Sequence, residues 1–204
     1  MDNFVLNMLS WKHMEHIILV RHGETEKNTR GELHTIDDAE FLNKTGVKQV
    51  KKTASKLKKF SPVMVYSSKG RRAIDSGKII AKELGILFET VRGMQERDWG
   101  KFSGKTWEEV EKILQKMSLE ERYLYRPPHG ESWKEFENRL IRAITKILSH
   151  NKDKTVVVVS HGGAIRALMP YLLDMPREES FKYNPENASF AVFSHQNGKF
   201  SQVS

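Results

Sequence analysis

Two short runs, Ile17 to Val20 and Val156 to Val159, are apolar at every position. A strand wetted on one face alternates apolar with polar residues, whereas a strand apolar throughout is buried on both faces, as in a parallel sheet covered by helices on each side. Further apolar segments bounded by turn signals predict strands over 63–66, 86–89 and 155–160, with a late pair at 190–193 and 200–203. Between the strands, apolar residues recur at three- and four-residue spacing. Val47, Val50, Ala54 and Leu57 mark one face of a helix over 43–59, and a second helix over 71–84 is stopped by Gly85. Thr106 with Glu109, Ser118 with Glu121 and Ser132 with Glu135 have the capping-box spacing that opens a helix. In the last of these helices Trp133, Phe136, Leu140, Ile144 and Ile147 form one apolar face.

Alternating strands and helices predict an α/β fold, a three-layer sandwich with a mostly parallel central sheet flanked by helices. The chain of 204 residues has the size of one domain. Residues 16–204 are read as that domain and residues 1–15 as an extension preceding its first strand. Within the extension "FVLNMLSW" is apolar, but Asn7 breaks it, and it has neither a basic lead nor a small-residue cleavage site, so it does not resemble a signal peptide. Residues 94–130, with short helices and the turn "RPPHG", interrupt the alternation. In an α/β domain such an insertion is expected over the carboxyl edge of the sheet, where ligands bind.

Composition narrows the chemistry. Without cysteine there is no disulfide, no thiolate nucleophile and no cysteine-ligated metal, which suits a reducing compartment, so the cytoplasm is the expected location. The net charge of +8 favours anionic partners. Much of the excess lies in "KQVKKTASKLKKF", whose lysines fill the face opposite Val47, Val50, Ala54 and Leu57 and read as the solvated back of a helix. No nucleic-acid partner and no membrane span is expected from these patterns, and they carry no signal for the oligomeric state.

The two all-apolar runs end alike. One closes on Arg21, His22 and Gly23, the other on Ser160, His161 and Gly162. In a parallel sheet both histidines emerge at the same edge, each held by a rigid strand and followed by a glycine that admits a ligand to the backbone. A neutral imidazole is a nucleophile toward phosphorus, and guanidinium groups bind phosphate oxygens in pairs. Arg71 and Arg72, just after a predicted strand, offer a second guanidinium.

The segments "LVRHGETEKN", "YSSKGRRAIDSGKII", "MQERDWGKFSGKTWEEV", "PPHGESWKEFENRL" and "VVVVSHGGAIRALM" together resemble the histidine phosphatase superfamily, also called phosphoglycerate mutase-like, in order from about residue 17 to 193. The resemblance implies that His22 attacks phosphorus to form a phosphohistidine, its other ring nitrogen donating to a main-chain carbonyl. Arg21, Arg72 and His161 would hold the phosphoryl oxygens with help from Asn28, and Arg72 rather than Arg71 falls at the family spacing from Ser67 and Ser68. Glu96 would protonate the leaving oxygen and then activate water, with Asp98 as the alternative acid. No cofactor and no metal is implied. The expected activity is hydrolysis of a small phosphate monoester. The alternatives are a cofactor-dependent phosphoglycerate mutase and a catalytically silent phospho-ligand binding module. The short stretch between Glu96 and His161 lacks the extended insertion typical of the mutases and favours hydrolysis.

Several features depart from this pattern or imitate others. After Asn28 the chain reads "GELH", which puts Glu32 and His34 where the family often has Arg and Gln, and "EFLN" stands where "PLT" is usual. Glu32 would repel a second anionic group unless Arg30 compensates. "GKFSGKT" has three residues between its glycines where a P-loop needs four, and no hydrophobic strand precedes it. Zinc held by His22, His161 and Glu96 is conceivable by residue type, but the adjacent arginines disfavour a cation. Of the insertion's aromatics, Trp99, Phe102, Trp107, Tyr123 and Tyr125, most are expected in the core, and any others would line the site.

Overall fold

The computed structural model describes residues 15–34, 39–196 and 199–203. The N-terminal extension, except for Glu15, lies outside the described residues. Strand β1 (Glu15–Arg21) is followed by a short helix α1 (Glu26–Thr29), α2 (Lys44–Leu57), β2 (Met64–Ser67), α3 (Arg71–Leu84) and β3 (Leu87–Thr90). Then come α4 (Trp107–Leu114), α5 (Leu119–Leu124), α6 (Trp133–Ser149), β4 (Thr155–Ser160), α7 (Gly162–Leu173), α8 (Arg177–Ser180), β5 (Phe190–Gln196) and β6 (Lys199–Gln202).

The six strands form one sheet in the order β3-β2-β4-β1-β5-β6. β3, β2, β4 and β1 run parallel, and β5 and β6 complete the sheet by antiparallel pairing. The two all-apolar runs are neighbours at its centre, and alternate residues feed opposite layers. Ile17, Leu19, Val156 and Val158 pack with α6 and α7, while Ile18, Val20, Val157 and Val159 pack with α2 and α3. Full burial of each such side chain contributes about 2 kcal/mol, so both faces are strongly committed and the register is fixed. The sheet is therefore mixed, with four adjacent parallel strands running from the β3 edge to the central β1, and the layers are those expected.

The strand expected over 155–160 has those limits, the other strand limits lie within three residues of expectation, and the helix over 43–59 closes as a tight 3₁₀ turn at Lys58–Phe60. Gly85 adopts φ 68°, the left-handed stop that a glycine takes without strain. Helix α7 has no counterpart in the periodicity analysis. It begins with two glycines, carries Pro170 inside, and buries Ala164, Ile165, Ala167, Leu168, Met169 and Leu172, so it lacks a polar stripe to reveal its period. Among the described residues no helix is long and apolar enough to cross a membrane.

Gly23 admits a helix rather than a ligand. A Cβ there would sit 2.6 Å from the Gly46 carbonyl oxygen, and one on Gly46 would strike the backbone of Glu24. Asn43 locks this contact as the cap of α2, accepting from Gly46 N at 2.8 Å and donating to Glu24 Oε1 at 2.8 Å. The loop after β1 is thereby pinned to the first turn of α2.

Candidate active site

The register pairs Arg21 with Ser160, and His22 N continues the ladder to Ser160 O at 3.0 Å, so His22 and His161 leave adjacent strands at one edge. His22 Nδ1 donates to the Gly23 carbonyl at 2.7 Å, and Arg72 Nε donates to His22 Nε2 at 3.1 Å. These two bonds select the tautomer with its proton on Nδ1 and its lone pair on Nε2. Burial first, then the Arg72 and Arg21 guanidinium groups, push His22 well below the usual imidazole range, so it is neutral at physiological pH.

His161 is lowered likewise by burial and by Arg72. Its ring centre lies 5.3 Å from that of His22, and its Nε2 is 2.6 Å from Ser68 Oγ, a hydroxyl that accepts from Gly70 N and can donate its own proton to Nε2, which leaves the ring proton on Nδ1. Its Nδ1 is buried without a partner among the described residues. Arg21 donates from Nη1 to the Pro185 carbonyl at 2.7 Å, and its Nε is also buried without a partner. Asn28 accepts at Oδ1 from Thr25 N, Thr25 Oγ1 and Asn187 Nδ2, which fixes the orientation of its amide.

A cavity of about 390 Å³ joins these groups; Arg21, His22, Asn28, Arg72 and Glu96 line it, whereas His161 lies outside its lining. Glu96 reaches the cavity from the loop after β3. Its Oε2 accepts from Gly163 N at 2.9 Å and its Oε1 from Arg97 N at 2.8 Å. The Arg97 guanidinium turns instead to the carbonyls of Glu131 and Tyr125 and lies 4.3 Å from the Trp99 ring centre; burial lowers it to about 10. Asp98 is absent from the lining, its carboxylate accepting from Gly100 N. Arg71 is paired with Asp75 and stacks on Phe41 outside the cavity.

The cavity's outer lip is formed by residues 31–34 zipped to the insertion. Leu33 N donates to Lys105 O, Gly104 N to Leu33 O and Trp107 N to Gly31 O, so "GKFSGKT" forms a turn that carries the lip rather than a phosphate loop. Glu32 lines the cavity and accepts from Arg30 at 2.6 and 3.2 Å, so Arg30 does offset its charge. His34 is buried, 3.1 Å from Thr25 Oγ1, with its ring 5.8 Å from that of His22. Trp99 and Trp107 line the cavity edge to face, whereas Phe102 and Tyr125 stack in a small satellite core and Tyr123 joins the main one.

Sequence reasoning missed Arg97, Trp133 and Arg166 as cavity residues. Arg166 donates to Tyr183 O and Asn184 Oδ1, and burial lowers its pKa. It lies three and four positions after the cavity glycines Gly163 and Gly162, the spacing that shares a helix face, so reading α7 as a helix would have found it. The donor set suits an anion: four guanidinium groups line the cavity, and the His22 nitrogen that would take a metal already accepts from one of them.

Comparison with known proteins agrees with this geometry. Metal-independent phosphoserine phosphatase of Arabidopsis thaliana is 36% identical over 159 residues, covering 74% of this chain and 66% of that protein. A 2,3-bisphosphoglycerate-dependent phosphoglycerate mutase of Thermoplasma acidophilum is 29% identical over 186 residues, covering 91% of this chain and 90% of that one. The structure of a phosphoserine phosphatase variant from Entamoeba histolytica, in complex with phosphoserine, superposes with TM-score 0.79 at 26% identity, over 94% of this chain and 96% of that one. Residues 17–204 match the model of one family throughout, and the chain belongs to the histidine phosphatase superfamily, branch 1.

Proposed function

We propose that this protein is a metal-independent phosphomonoester hydrolase that works through a phosphohistidine on His22 and acts on a small phosphorylated metabolite in the cytoplasm. One observation carries the reading: a neutral His22 whose Nδ1–H is held by Gly23 O presents the Nε2 lone pair among guanidinium groups. In the first step Nε2 attacks phosphorus and the ester P–O bond breaks. Arg21 Nε, Arg72, the Asn28 amide and His161 Nδ1 take up charge on the phosphoryl oxygens. Protonated Glu96 gives its proton to the departing alkoxide. In the second step Glu96, now a carboxylate, takes a proton from the water that attacks phosphohistidine, releasing phosphate and restoring His22.

Relatives named as phosphoserine phosphatases support hydrolysis of an ester of that size, for which a cavity of about 390 Å³ is ample. The mutase relative, which this chain matches along most of its length, keeps phosphoryl transfer to a second phosphoglycerate as the competing reading. Glu32 at the lip would repel a second anion, but Arg30 offsets that carboxylate, so the preference for hydrolysis rests on the phosphatase relatives.

The test is phosphate release from p-nitrophenyl phosphate in EDTA by wild type and His22→Ala, followed by 3-phosphoglycerate with a bisphosphate primer. Turnover that survives chelation and falls at least about 10⁴-fold in the variant is the expected result. Equal activity in both proteins would sink the role of His22, and isomerisation without phosphate release would favour the mutase.

A further inference from the structure

Arg139 lies on α6 and does not line the cavity. Its guanidinium nevertheless addresses the loop that carries Glu96. Nη1 donates to the carbonyls of Gly93 and Gln95 at 3.0 and 3.1 Å, and Nη2 donates to the carbonyl of Glu96 itself at 3.2 Å. Both Nε and Nη2 also donate to the carboxylate of Glu131. Glu131 in turn accepts from Asp98 N at 2.9 Å, and its own carbonyl accepts from Arg97 Nε. One ion pair thus collects the backbone on both sides of Glu96.

This loop belongs to no strand or helix, so it has no ladder to hold its shape, and its carbonyls need donors from elsewhere. A planar five-donor fork meets several acceptors at fixed angles in a way an ammonium cannot. We infer that Arg139, aligned by Glu131, is a positioning residue that sets the Glu96 carboxyl at the distance needed for proton transfer to the leaving oxygen. The inference rests on the reading of Glu96 as the acid given under Proposed function.

The test compares kcat/KM for two esters, because this ratio reports events up to departure of the alcohol and is blind to later hydrolysis of phosphohistidine. An aryl ester, p-nitrophenyl phosphate, needs little protonation of its leaving group, whereas an alkyl ester, β-glycerol phosphate, depends on it. Arg139→Lys is expected to lower kcat/KM for the alkyl ester about ten-fold more than for the aryl ester, with Glu131→Gln showing the same bias more weakly. Glu96→Gln serves as the reference, and thermal unfolding with circular dichroism checks that each variant is folded. Equal losses on both esters, or none, in Arg139→Lys and Glu131→Gln while Glu96→Gln discriminates would overturn the positioning role alone. Failure of Glu96→Gln itself to discriminate would overturn the acid and the role of Arg139 together.

Discussion

The inner end of the cavity rests on strand termini, whereas its outer end rests on loops. At the inner end Arg21 closes and His22 follows a strand whose register is fixed from both faces, and Arg72, 1% exposed, donates directly to the nucleophile. At the outer end Glu32 is held by an exposed arginine, and Trp107 is 40% exposed on the first turn of an eight-residue helix. Phosphoryl transfer demands the same geometry whatever the alcohol, so rigid backbone serves it best. Selection among alcohols tolerates softer supports, and loops supply them.

The sharpest way to break this division is to disturb the acid without disturbing the fold. A Cβ on Gly163 would overlap Glu96 Oε1, and Oε2 at 3.1 Å is also too near. Gly163→Ala is therefore expected to push Glu96 from its seat and cut turnover of an alkyl phosphate by about 10²-fold, the scale of a lost general acid. Gly163 sits in helix α7, where alanine is favoured over glycine by about 1 kcal/mol, so the melting temperature should hold or rise. Lost activity together with lost stability would show that the effect is on packing and not on Glu96.

What was legible in the sequence follows the same division. The all-apolar runs disclosed buried central strands, and their matching ends disclosed both histidines, because periodicity and register are local properties. Helix α7 was hidden by its glycines, its proline and its lack of a polar face, and Arg166 was hidden with it. Arg139 stands in an amphipathic helix where an arginine ordinarily faces water; only the tertiary approach of a distant loop gives it five acceptor contacts. Gly23 by its place after a strand suggests room for a ligand, and it is the first turn of α2 that fills that room.

A smaller effect should separate the outer end from the inner one. Trp107→Ala removes a half-exposed wall, so stability should change by about 1 kcal/mol or less, while Trp99→Ala, nearly buried in the satellite core, should cost about 3 kcal/mol. On Trp107→Ala, KM for esters with bulky alcohols should rise three- to ten-fold, about 1 kcal/mol of lost contact, with kcat for p-nitrophenyl phosphate nearly unchanged. A fall in kcat on that small ester as large as that caused by Gly163→Ala would mean that the two ends are not separable.

The mildest perturbation is pH, and its sign follows from the neutral histidines. His22 and His161 are held well below the ordinary imidazole value of 6.5, chiefly by burial and next by Arg72. As pH falls below 6.5 the unfolded chain takes up protons at these two positions while the folded chain does not, so stability declines on the acid side and is flat above. Carboxylates capping helices, such as Glu109 and Glu135, are lowered by their hydrogen bonds and add losses only at more acidic pH, below the usual carboxylate value of 4.5. Unfolding of wild type and His22→Asn, measured between about pH 7 and about pH 5, isolates the histidine share. The variant should lose less stability over that interval than wild type, since one of the two suppressed protonation sites is gone. Identical slopes would show that His22 titrates alike in the folded and unfolded chain, and the inner end would then lack the neutral imidazole that distinguishes it from the outer one.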